Sequence, residues 1–128
     1  MNAGTGRLAG LRVLVVDDDP DIRAAMSIAL RAEGAVIDDA PDGSTALHRA
    51  SATRPDAVVL DMMLPGQSGF SVLERVRAMV PPVPVVMVTA NQGKRHAALA
   101  ESMGAEAYLV KPVPLGRLVD AVCRAASR

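Results

Sequence analysis

The sequence predicts an open α/β domain, a parallel sheet wound on both faces by helices. Three features predict it. Short apolar runs such as Val13–Val16, Ala57–Leu60 and Val83–Val88 are rich in β-branched residues, the pattern of parallel strands buried on both faces. Between them lie segments whose apolar residues recur at helical spacing. The two kinds of segment alternate along the chain, and regular alternation of this kind builds a parallel sheet with crossover helices.

The elements follow in order. Val13–Val16 is the first strand. Asp19-Pro20-Asp21 then opens a helix, because Pro suits a first helical turn and acids suit its positive end. Ile22, Met26, Ala29 and Leu30 continue that helix, and Gly34 stops it. Val36 and Ile37 predict a short second strand. Asp42-Gly43-Ser44 opens a second helix through Ala46, Leu47 and Ala50, which Arg54-Pro55-Asp56 breaks. Ala57–Leu60 is the third strand, ending at Asp61, and Pro65, Gly66 and Gly69 punctuate the loop beyond it. Phe70, Leu73 and Val76 mark a third helix, and Pro81-Pro82 closes the connection after it. Val83–Val88 is the fourth strand, with Pro84 near its start. Residues 91–103 predict a fourth helix, residues 107–110 a fifth strand, and Leu115, Leu118, Val119 and Val122 a last helix. Five such units predict a doubly wound, flavodoxin-like sheet of order 2-1-3-4-5. Residues 1–11 read as an N-terminal tail, loose through Gly10, and residues 12–127 as one domain.

Composition bounds the function. The 128 residues suffice for one domain, and a chain of this size buries roughly two thirds of its unfolded surface. Lys plus Arg and Asp plus Glu are 14 each, so the chain lacks the basic excess of a protein held to nucleic acid or anionic lipid. Phe70 and Tyr108 are the sole aromatics, which argues against a stacking platform for single strands. A single cysteine, Cys123, excludes an internal disulfide and a cysteine-rich zinc site. No apolar run approaches the ~20 residues of a membrane span, and the first residues lack a signal-peptide core. The expected setting is cytoplasmic.

Ligands of open parallel sheets sit beyond the carboxyl ends of the strands. Those ends carry Asp17-Asp18, Asp61, Thr89-Ala90 and Lys111-Pro112. Each has a plainer reading alone: acids cap helices, Thr favours strands, and Lys is a surface residue. All of them gathering at one edge by accident is a much weaker reading. Neighbouring carboxylates repel one another, and a divalent cation relieves that repulsion. Hard oxygen donors select Mg²⁺ or Mn²⁺. A lysine and a hydroxyl beside the metal suit phosphate oxygens. The set therefore reads as a place where an aspartate accepts a phosphoryl group, with Asp61, central in the sheet, as the nucleophile.

The motifs VLVVDDDP at 13–20, VVLDMMLPGQSGF at 58–70, VMVTA at 86–90 and YLVKP at 108–112 together resemble the receiver domain of response regulators. The resemblance implies that Asp61 is the phosphorylated residue. It implies Mg²⁺ held by Asp17, Asp18, Asp61 and the backbone carbonyl of Met63, with Mn²⁺ as a substitute. It implies Thr89, Ala90 and Lys111 as phosphate-binding positions, Thr89 and Tyr108 as switch residues, and Pro112 as a structural proline. The phosphodonor would be a sensor histidine kinase or histidine phosphotransfer protein. The output would be a downstream protein or a fused domain, switched through the face around the fourth helix, fifth strand and fifth helix. Such a switch is not a turnover enzyme on an outside substrate.

Several positions depart from the family's common pattern. Ser68 stands where many receivers have Asp, and Val113 replaces a frequent Phe. The stretch from Glu106 to Arg124 lacks the acidic pair before Tyr and the Arg on the final helix that are usual in the family, which weakens the case for a phosphorylation-dependent homodimer. Met63 and Asn91 occupy positions that tune self-dephosphorylation, and a Met63 side chain that cannot orient water predicts a long-lived phosphoryl group. Two other readings compete. One is a phosphorylation-independent binding module of the same fold. The other is a Mg²⁺-dependent phosphohydrolase, suggested by Asp17-x-Asp19 but lacking a cap or a later acidic pair. Direct binding of nucleic acid by this chain is not expected.

Overall fold

The computed structural model describes residues 6–90 and 93–127. Its strands are β1 (Arg12–Val16), β2 (Val36–Ala40), β3 (Ala57–Leu60), β4 (Val85–Thr89) and β5 (Ala107–Val110). Its helices are α1 (Pro20–Ala32), α2 (Gly43–Thr53), α3 (Gly69–Arg77), α4 (Lys94–Ser102) and α5 (Leu115–Ala126). All strands pair in parallel, in the order β2-β1-β3-β4-β5. The predicted order is therefore the observed one.

Strand alternation divides the core in two. Val13, Val15, Val59, Val86 and Val88 pack against α1 and α5 residues such as Met26, Leu30, Leu118 and Val122. Leu14, Val16, Val58, Leu60, Val85 and Met87 face the other way, against Ala46, Ala50, Val72 and Leu73. Both faces are dry, which is why the central strands read as unbroken apolar runs. Among the described residues no helix is long and apolar enough to cross a membrane.

Boundaries shift where local chemistry intervenes. β2 extends past Ile37 to Ala40 although two acids follow, because salt bridges neutralise both. Arg49 Nη1 lies 3.0 Å from Asp38 and Arg23 Nε lies 3.2 Å from Asp39. Charged residues are tolerated on an edge strand of this kind. β4 begins at Val85, not Val83, since Pro84 has no N–H for the ladder and offers its carbonyl to Val58 instead. α4 begins at Lys94; Asn91 and Gln92 lie outside the described residues. Asp19 caps α1, accepting the N–H groups of Asp21 and Ile22 at 2.9 and 3.2 Å, an arrangement worth about 1 kcal/mol.

The reading of Met1–Gly10 as a loose tail fails for its described part. Leu8 is fully buried on the α1/α5 face of the sheet. Its N–H donates to the Glu33 carbonyl at 2.8 Å, and the Gly10 N–H donates to that of Gly34. The exposed Arg7 pairs with Asp120 on α5 at 2.6 Å. One leucine among small and polar neighbours makes a weak pattern, yet it joins the core layer on the α1/α5 face.

Candidate functional site

The sheet delivers the candidate residues to one edge. β1 runs into Asp17, which is fully buried, and into the exposed Asp18. β3 runs into Asp61, whose N–H donates to the Val16 carbonyl at 3.0 Å and so continues the ladder by one residue. Asp61 is 4 % exposed. Thr89 is buried at the end of β4, and its carbonyl accepts the Lys111 N–H at 2.9 Å. Ala90 follows it on the exposed rim.

Lys111 closes the pocket. Its Nζ lies 2.7 Å from Asp17 Oδ2 and 3.0 Å from Asp61 Oδ2. Burial alone would pull the ammonium's pKa down. Hydrogen bonds to Asp17 and Asp61, with their charges, outweigh burial and hold it above the ordinary 10.5. Carboxylate oxygens of Asp17, Asp18 and Asp61 all lie within 4.8 Å of one another. Asp17 and Asp61 thus share the ammonium, and Asp18 stands beside them. Such a set of hard oxygen donors, mostly buried, fits a small divalent cation such as Mg²⁺ or Mn²⁺.

The remaining candidates surround this centre. The Met63 N–H donates to Asp61 Oδ1 at 3.0 Å, while the residue as a whole is 61 % exposed. Asn91 lies outside the described residues. Tyr108 on β5 is half-buried, with its hydroxyl 3.9 Å from Met62 Sδ. Burial first, and then the Asp61 charge, raise its pKa above the ordinary 10.0. Tyr108 is the chain's one tyrosine and there is no tryptophan, so tyrosinate absorbance reports it directly. An alkaline titration is expected to show a midpoint above 10.0, and Asp61→Asn to lower it. A midpoint unmoved by that substitution would separate the two side chains electrically. The Lys111–Pro112 peptide is cis.

Two positions carry more than the sequence suggested. Gly69, read only as loop punctuation, has no room for a side chain. A Cβ there would lie 2.5 Å from the Asp61 carbonyl oxygen and 2.5 Å from Met62 Cα. Arg23 reaches back from α1 and donates from Nη1 to the Asp17 carbonyl at 2.7 Å. A cation so near a helix's positive end runs against the helix dipole, and that mismatch was the available signal. His48 and His96 join no metal-type cluster among the described residues.

Fold and pocket define a class: a doubly wound α/β domain with an acidic, lysine-closed pocket at the carboxyl edge of its sheet. Comparison with known proteins narrows the class. The family described as the response regulator receiver domain matches residues 13–123. The transcriptional regulatory protein PrrA of Mycobacterium leprae is 44 % identical over 111 residues, 87 % of this chain and 48 % of the relative. The transcriptional regulatory protein TcrA of Mycobacterium tuberculosis is 42 % identical over 123 residues, 96 % of this chain and 48 % of the relative. The crystallised chemotaxis protein CheY4 of Vibrio cholerae superposes with a TM-score of 0.83 at 30 % identity, covering 90 % of this chain and 98 % of that one. The chain belongs to the response regulator receiver family. It spans about half the length of the curated relatives it matches.

Proposed function

We propose that this receiver domain accepts a phosphoryl group on Asp61 and passes the signal on as a change of surface. The observation that carries the reading is the placement of Asp61. It directly follows the central strand, is 4 % exposed, lies 3.0 Å from Lys111 and stands with Asp17 and Asp18. In the transfer, an Asp61 carboxylate oxygen attacks phosphorus. The bond from phosphorus to the donor nitrogen breaks, and its electron pair stays on the imidazole, which then binds a proton. Lys111 balances the charge of the phosphoryl oxygens, with Thr89 and the backbone at Ala90 as their further partners. Mg²⁺, when bound through Asp17, Asp18, Asp61 and the Met63 carbonyl, supplies the positive charge that lets an anionic group approach these acids.

The donor in this reading is a phosphohistidine on a sensor kinase or phosphotransfer protein in the cytoplasm. Thr89 and Tyr108 relay the new charge toward α4, β5 and α5, shifting a pre-existing equilibrium of that face. The relatives named as transcriptional regulatory proteins are about twice as long as the matched region, which supports an output, fused or downstream, in the control of transcription.

Intact mass after incubation with acetyl phosphate tests the reading. Wild type is expected to gain one phosphoryl group, only with Mg²⁺ present, and Asp61→Asn to gain none. Labelling that survives the substitution would place the acceptor elsewhere. No labelling of wild type beside a competent control receiver would favour the constitutive binding module.

A further inference from the structure

The pocket has a support on its outer side that no metal or phosphate contact explains. Every polar group of Asp17 is engaged. Its N–H donates to the Ala40 carbonyl at 3.2 Å. Oδ1 accepts the Asp19 N–H at 2.9 Å, and Oδ2 accepts Lys111 Nζ at 2.7 Å. The carbonyl oxygen accepts Arg23 Nη1 at 2.7 Å, while Arg23 Nε reaches Asp39 Oδ2 at 3.2 Å. Asp39 immediately precedes Ala40. The bonds therefore close a ring: Asp17 to Ala40 on β2, Asp39 to Arg23 on α1, and Arg23 back to Asp17.

We infer that Arg23 is a positioning residue for the cation site, acting through the Asp17–Asp18 peptide. The carbonyl it holds belongs to the peptide unit that joins the two acids. Rotation of that unit turns the Asp18 Cα, and with it the exposed carboxylate that would help hold the cation. Two donors of one planar guanidinium fix the unit against both β2 and α1, which a lysine cannot do from a single point. Outer partners of this kind hold metal ligands in register. The Arg23 side chain is only 19 % exposed, and its Nη1 and Nε are both engaged, by the Asp17 carbonyl and by Asp39. The guanidinium is thus set in place rather than swinging free. The inference rests on the reading of Asp17, Asp18 and Asp61 as the cation site.

Charge and position predict opposite results, which makes the inference testable. Arg23 is a cation near a cation site. If charge were its whole influence, Arg23→Gln would tighten Mg²⁺ binding, and Arg23→Lys would leave it unchanged. A positioning role predicts that both substitutions weaken binding, by about tenfold. The experiment is a Mg²⁺ titration of the unphosphorylated chain, followed by the amide resonances of Asp18 and Asp61, at a temperature where thermal unfolding shows each variant folded. Weaker binding in both variants supports the inference. Should Arg23→Gln not fold, the lysine variant alone decides, since it keeps the charge and loses the fork. Unchanged affinity in Arg23→Lys, or tighter binding in Arg23→Gln, overturns the positioning role and leaves the site reading intact. A wild-type chain that binds no Mg²⁺ overturns the site reading, and this inference with it.

Discussion

Lys111→Met is expected to lower unfolding free energy by about 3 kcal/mol in metal-free buffer near neutral pH. Asp17 is fully buried and Asp61 nearly so, and Lys111 Nζ touches an oxygen of each. Removing one partner of a buried ion pair leaves the others uncompensated, which costs more than the pair itself contributes. Methionine keeps most of the side-chain volume, so the loss reports charge and hydrogen bonding rather than a cavity. For a chain of 128 residues such a change moves the melting temperature by about 10 °C. Added Mg²⁺ is expected to stabilise the variant more than wild type, since without the competing ammonium the acids hold the cation more tightly, and a cation bound only by the folded state shifts the equilibrium by mass action. The pH dependence has a definite sign. The Lys111 pKa is raised on folding, so its contribution is fully present below the ordinary 10.5 and fades as pH rises through the higher folded value. The gap between wild type and variant should hold across neutral and mildly alkaline pH and close above it. Chemical denaturation of both proteins, with and without Mg²⁺, measures all of this. A methionine variant as stable as wild type without metal would mean that the ammonium does not offset the buried acids.

The parts legible in the sequence were those fixed by local pattern. The apolar, β-branched runs at 57–60 and 83–88 fit strands dry on both faces, and their alternation with helical spacing leaves few topologies. Once the strand ends are known, the fold itself collects Asp17, Asp18, Asp61, Thr89 and Lys111, so the pocket followed from topology and residue type together. What stayed hidden depends on distant partners. Leu8 looks like any residue of a loose end until the fold packs it among α1 and α5 residues in one core layer. Asp38 and Asp39 read as the end of a strand until Arg49 and Arg23, residues of other elements, neutralise them. Arg23 itself carries no motif, and its meaning lies in a carbonyl six residues back. Gly69 is similar: glycine in a loop is common, and only the fold reveals which one the backbone crowds.

Gly69→Ala is expected to destabilise the domain by about 3 kcal/mol and to slow phosphoryl acceptance, because the same clash acts on both. The new methyl carbon would meet the Asp61 carbonyl oxygen and Met62 Cα, each at 2.5 Å. These are backbone atoms, so no side-chain rotation relieves the contact. Gly69 is also tied to that backbone, donating its N–H to the Met62 carbonyl at 2.8 Å, and it begins α3 directly after the Ser68 cap. Relief therefore requires α3 to back away or the Asp61–Met63 segment to move. Movement of that segment shifts the carboxylate relative to Lys111 and disturbs the Met63 N–H that donates to Asp61 Oδ1. Gly116→Ala is the matched comparison. Gly116 lies in α5 with nothing within 4 Å of a Cβ, so alanine there is expected to add about 0.5–1 kcal/mol through helix propensity. Denaturant unfolding of the two variants should give shifts of opposite sign, and only Gly69→Ala should label more slowly with acetyl phosphate. If Gly69→Ala were stable yet slow to label, the loop would have given way and α3 held. If it were unstable yet labelled normally, the helix would have moved and left Asp61 in place. Wild-type stability and labelling together would contradict the crowding on which the expectation rests.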